Sequence, residues 1–133
     1  MEIKNLKLLN TKEKQIFATK CFSKYCVEKE IFHQYIDELI IHLLSIQNTK
    51  NLPFCFFFLS KLMLNGRGDE FPKEIELILE TKDKKTFLEI LESTVEVGLV
   101  DMYGAETNQP EFYLKKCLSI LSKNNISIPK IEF

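Results

Sequence analysis

Two histidines, His33 and His42, and four cysteines, Cys21, Cys26, Cys55 and Cys117, are the side chains of this chain that most readily act as nucleophile, general base or metal ligand. His33 and His42 lie nine residues apart, about 900° of rotation on one straight helix, and so fall on opposite sides of it. A shared metal site or proton relay on that helix is geometrically poor, and both read as edge histidines with an apolar body and a polar tip. Cys21 and Cys26, five apart, project about 140° from each other on a helix. Paired zinc cysteines meet instead on a turn, which this stretch does not signal. The expectation is buried thiols behaving as small apolar groups. A Cys–His nucleophilic pair meets in space rather than in sequence and stays open.

Other motifs are weaker. Arg67-Gly68-Asp69 spells an adhesion tripeptide, which reads as chance in a chain without an export signal. Gly66 and Gly68 lack both the preceding strand and the Lys-[Ser/Thr] continuation of a phosphate-binding loop. No catalytic residue, cofactor or metal ligand is assigned.

Carboxylates carry more information. Residues 72–106 hold 9 acidic and 4 basic side chains, an excess hidden by the net charge of −1 for the whole chain. Within that third, Glu89, Glu92 and Glu96 stand at i, i+3 and i+7, a stripe about 60° wide on one helical face. Phe87, Leu88, Leu91, Thr94 and Val95 take the other side. Like charges on one stripe repel by about a few tenths of a kcal/mol per pair. A basic partner would turn that repulsion into steering and register. Asp101, Tyr103 and Glu106 follow in a polar turn, the composition of a recognition edge. Lys115 and Lys116, on the outer face of the last helix, are expected to matter little to that surface.

The elements that must position these groups are helical by periodicity. Asn10 and Glu13 make a capping pair for a helix from Thr11 to about Val27, with Ile16, Phe17, Cys21 and Tyr25 inward. From Glu28 to Ile46 the apolar residues fill an arc of roughly 220°, the width of a well-buried helix. Ile41 falls outside that arc. Pro53 opens a third helix, Phe54 to Leu64, apolar nearly all round and so expected at the centre of the core. Pro72 opens a short helix to Glu80, another runs from Lys85 to about Val100, and Pro110 opens the last, Glu111 to Lys123. The tail from Ile126 to Ile131 alternates apolar and polar and reads as an extended strip laid over the bundle. The expected fold is all-α, a compact single-domain bundle of about six helices spanning residues 1–133.

Composition agrees with a folded globule, at 133 residues, 45% apolar and 28% charged. Direct nucleic-acid binding is not expected from a near-neutral chain. The longest apolar run, Leu52 to Leu59, is too short for the roughly 20 residues of a membrane span. Four cysteines do not amount to a disulfide framework, and Met1-Glu2-Ile3-Lys4 does not open a signal peptide, so a reduced cytoplasmic setting is expected.

The segment Thr94 to Phe133, TVEVGLVDMYGAETNQPEFYLKKCLSILSKNNISIPKIEF, joins two helices through a polar Asp-Met-Tyr-Gly-Ala turn ahead of an Ile-Pro-Lys-Ile tail. In this it resembles the immunity proteins of contact-dependent growth inhibition and related polymorphic toxin systems. The resemblance implies a cytoplasmic inhibitor, not an enzyme, that binds a cognate toxin domain, often a nuclease, and blocks its active site or substrate groove. The modest net charge departs from the strongly acidic inhibitors of some nucleases. Two other readings are a helical regulatory or adaptor protein with a different protein partner, and an enzyme whose site carries no recognised motif.

Overall fold

Helix α1 (Thr11–Glu28) begins where its capping pair predicts. The Asn10 side chain accepts the Glu13 N–H at 2.8 Å, and the Glu13 carboxylate accepts the Asn10 N–H at 3.0 Å, so two of the helix's orphan donors are satisfied reciprocally. The computed structural model describes residues 4–48, 50, 52–67, 70–100 and 107–131. Five further helices follow: α2 (Gln34–Leu44), α3 (Leu52–Leu59), α4 (Lys73–Leu79), α5 (Lys84–Leu99) and α6 (Gln109–Lys123). Short 3-10 turns at Lys4–Leu8 and Ser45–Asn48 complete an all-α fold with no strand among the described residues. Among the described residues no helix is long and apolar enough to cross a membrane.

The junction of α1 and α2 differs from the expectation of a helix beginning at Glu28. Glu30 takes a left-handed φ of 54°, the Ile31 N–H donates to the Cys26 carbonyl, and the Glu30 N–H donates to that of Val27. These bonds form a Schellman cap, normally made by glycine because a side chain is strained there. Ile31 is then buried outside any helix while Phe32 is 62% exposed. His33, in extended conformation, caps α2 by accepting the Tyr35 N–H on Nδ1 at 3.0 Å. The two histidines therefore do not share a helix: His33 precedes α2 and His42 lies within it.

Helix α3 is a second correction. It ends at Leu59 rather than Leu64, and Phe57 and Phe58 are 55% and 46% exposed. The N–H groups of Ser60, Lys61 and Leu62 reach back three residues to Phe57, Phe58 and Leu59, the tightening that ends many helices. The central helix is instead α1, which packs on α2, α5 and α6, while α5 and α6 pack on each other. Phe17, Phe22 and Tyr25 of α1 are fully buried, and Phe22 meets Phe87 of α5 at 5.7 Å between ring centroids. Burying each such side chain contributes about 1.5–3 kcal/mol. Uniform hydrophobicity does not place a helix centrally. Fit to neighbours on several sides does, and α1 supplies it.

The outer elements are tied by polar contacts. Tyr35 donates from its hydroxyl to Glu74 at 2.9 Å, joining α2 to α4. Lys84 bridges to Glu76 at 2.8 Å, joining α5 to α4. Asp83 caps α5, accepting the Thr86 N–H and hydroxyl at 3.1 and 2.7 Å. Asn125, at φ 59°, closes α6 with the same cap geometry as Glu30. The tail beyond it lies on the bundle, with Ile126 buried and Ile128 and Ile131 packed against the core. Ile41 is 68% exposed.

Candidate functional site

Helix α5 presents two different faces, and the inward one is locked. Gln15 of α1, fully buried, donates from Nε2 to the Thr94 carbonyl at 2.8 Å and accepts the Gly98 N–H on Oε1 at 2.9 Å. One side-chain amide thus spans a full turn of α5. Nε2 also lies 3.2 Å from the Thr19 hydroxyl, which itself donates to the Gln15 carbonyl. The Thr94 hydroxyl donates to the Ile90 carbonyl and lies 3.5 Å from Cys117 of α6. This network fixes the rotation of α5 about its axis, and with it the direction in which the opposite face points.

That opposite face carries Glu89, Glu92 and Glu96, and the structure brings all three to one groove of about 400 Å³. Ser93 of α5, Tyr113 and Lys116 of α6, and the loop residues Gly66 and Arg67 complete its lining. Glu89 is exposed, but Glu92 and Glu96 are half-buried, and all three share the groove with two cations. Burial pushes the Glu96 carboxyl above the ordinary glutamate range, with Arg67 opposing the rise and Glu92 adding to it. Asp101, Tyr103 and Glu106, the remaining expected site residues, lie outside the described residues.

Arg67, Ser93, Tyr113 and Lys116 were missed as site residues. Arg67 is placed by Gly66, whose φ of +67° suits glycine and whose ideal Cβ would sit 2.8 Å from Val95 Cγ2. The loop can therefore lie directly on α5, and the Asn65 side chain holds it by accepting the Arg67 N–H at 3.0 Å. Gly66 was legible as a loop residue, but its partner 29 positions away in sequence was not. Lys116, expected on the outer face of α6 and away from this surface, is exposed but lines the groove, its ammonium 5.6 Å from the ring centroids of both Phe112 and Tyr113. Lys115 points elsewhere, 3.9 Å from Glu111.

The cysteines and histidines do not assemble into reactive chemistry here. His42 Nε2 lies 2.9 Å from the Cys55 carbonyl oxygen and 3.7 Å from Cys55 Sγ. A carbonyl has no proton to give, so the shorter contact puts the proton on Nε2, which then cannot accept the thiol's proton. Burial also pushes the Cys55 thiol up, with Lys12 opposing. Burial raises Cys26 and Cys117 to about 12 and Cys21 higher still, so all four stay protonated and weakly nucleophilic at neutral pH. All four are free thiols. Among the described residues no group of three or more His, Cys, Asp or Glu side chains converges as a metal site would.

What the groove can do chemically is hold a cation or hydrogen-bond donor among three carboxylates and a hydroxyl. No protein family, curated protein or solved structure matches this chain.

Proposed function

We propose that this chain is a binding protein that neutralises a basic toxin domain, in the manner of a cytoplasmic immunity protein, with the α5–α6 groove as its contact surface. The observation that carries this reading is the convergence of Glu89, Glu92 and Glu96 on one groove, held in register by the Gln15 clamp behind them. Arg67 and Lys116 offset their mutual repulsion only in part, with three carboxylates to two cations in the groove, and added positive charge relieves it further, which favours a basic partner and speeds its approach. Asp101, Tyr103 and Glu106 follow α5 in sequence and extend the same acidic character. The inhibitor acts by occupation rather than by chemistry, covering the toxin's active site or substrate groove.

The test is co-expression with any toxin-tip domain that an adjacent open reading frame encodes, followed by binding kinetics at two salt concentrations. Killing occurs only when the chain is absent. Reversing Glu89, Glu92 and Glu96 to Lys slows association by about tenfold or more and flattens its salt dependence, with the helical spectrum unchanged. No protection and no binding would remove the toxin reading.

A second reading, a helical adaptor, draws on a different surface. An apolar groove of about 320 Å³ lies between α1, α2 and the tail, lined by Val27, Ile40, Leu44 and Pro129 with Lys20 and Lys24 alongside. An amphipathic helix with an acidic edge suits such a groove. Loss of partner capture on Val27→Glu, but not on the triple reversal, would favour it.

A further inference from the structure

We propose that the α5–α6 groove is a receptor for a single basic side chain of the partner, its cation seated on Glu92 and Glu96 and one of its N–H groups donating to the Ser93 hydroxyl. This rests on the reading of the chain as a binder of a basic protein, and it names the contact that such binding uses.

Ser93 is the observation that goes beyond the acidic stripe. It is 3% exposed, yet its hydroxyl makes no hydrogen bond to any described residue, whereas the neighbouring Thr94 hydroxyl donates to the carbonyl one turn before it, that of Ile90. Every side-chain nitrogen or oxygen sealed from solvent among the described residues has a partner. The Ser93 hydroxyl therefore spends its remaining surface on the groove it lines. A hydroxyl on an otherwise buried residue that opens only on a groove is placed to hydrogen-bond to whatever occupies that groove.

The carboxylates beside it are equally available. Lys116 is drawn over the Phe112 and Tyr113 rings, and neither it nor Arg67 forms an ion pair with Glu89, Glu92 or Glu96. Arg67 is close enough to act on Glu96 electrostatically without bridging to it. A planar guanidinium supplies parallel N–H donors for two carboxylates and a hydroxyl at once, and an ammonium supplies three.

The test titrates N-acetyl-argininamide into isotope-labelled full-length protein, with N-acetyl-citrullinamide as the uncharged analogue of the same shape. Shifts concentrate at residues 66–67, 89–96 and 113–116 with the arginine compound and are absent with the citrulline compound. Glu96→Gln weakens binding by about tenfold. Ser93→Ala weakens it by about threefold while leaving the unfolding midpoint unchanged, since no internal bond is lost. Arg67→Gln removes a competing positive charge and tightens it by about twofold. Equal shifts with both compounds, unmoved groove resonances, or wild-type affinity in Ser93→Ala and Glu96→Gln would overturn the proposal. Toxin neutralisation with no arginine binding in the groove would sink this inference and leave the toxin reading standing. Arginine binding without neutralisation would do the reverse.

Discussion

The two faces of α5 solve opposite problems with adjacent residues. On the inward face Thr94 and Gly98 meet the buried amide of Gln15, and every polar group there has a partner. On the groove face, one residue along, Ser93 is as buried as Thr94 in practical terms but its hydroxyl has no partner among the described residues, and the three carboxylates form no ion pair among them. The difference teaches that burial alone does not identify a structural polar residue. Partners do: a polar group that finds none inside the protein has to reach the surface, as the Ser93 hydroxyl does at the groove. The inward face is where stability is invested, and the groove face is where binding capacity is held.

The comparison is tested most severely at Gln15. Gln15→Ala removes the clamp and leaves a void between α1 and α5, lowering the unfolding free energy by about 2–4 kcal/mol. Urea denaturation measures it, and a loss below about 1 kcal/mol would mean the inward face is no more committed to stability than the groove face.

Gly66→Ala comes next, because it presses on α5 from the groove side. A side chain at φ +67°, with its Cβ against Val95 and Leu91, lowers stability by about 1–3 kcal/mol. It also shifts Arg67, so the charge balance of the groove changes in the same variant. Denaturation gives the first effect, and a moved Arg67 side-chain resonance gives the second. An unchanged midpoint would show that the loop does not rest on α5.

Glu96 provides the smallest and sharpest test. Its carboxyl titrates above the ordinary glutamate range in the folded state because burial disfavours its charge, so the folded protein binds a proton more tightly than the unfolded chain does. Stability from this group is complete below the ordinary glutamate value and is lost as pH rises through the raised one. Glu96→Gln removes that slope and is slightly more stable than wild type at neutral pH. Urea midpoints followed from mildly acidic to neutral pH measure it, and identical profiles for the two proteins would contradict the burial of Glu96.

Much of the helical layout is legible in the sequence. The Asn10–Glu13 pair announces α1 because both partners lie within one turn, and the spacing of Glu89, Glu92 and Glu96 places them on one face because rotation per residue is a property of the helix itself. The start of α2 was not legible, since a Schellman cap built on Glu30 carries no glycine to mark it. Nor was the exposure of α3, whose uniform hydrophobicity gives no preferred direction. Half of the expected contact surface, Asp101, Tyr103 and Glu106, lies outside the described residues.

By itself, then, the sequence determined the all-α class, the local start of α1 and the acidic stripe of α5, all set by interactions within a few residues of chain. Tertiary structure alone decided that α1 is the central helix, that His33 and His42 belong to separate jobs, and that the stripe becomes a groove. Those outcomes depend on Gln15 meeting Thr94 and Gly98, on Gly66 lying against Val95, and on α6 bringing Tyr113 and Lys116 alongside. Each joins residues far apart in sequence, and no local periodicity encodes which distant surfaces will close-pack or which hydroxyl will be left facing the gap.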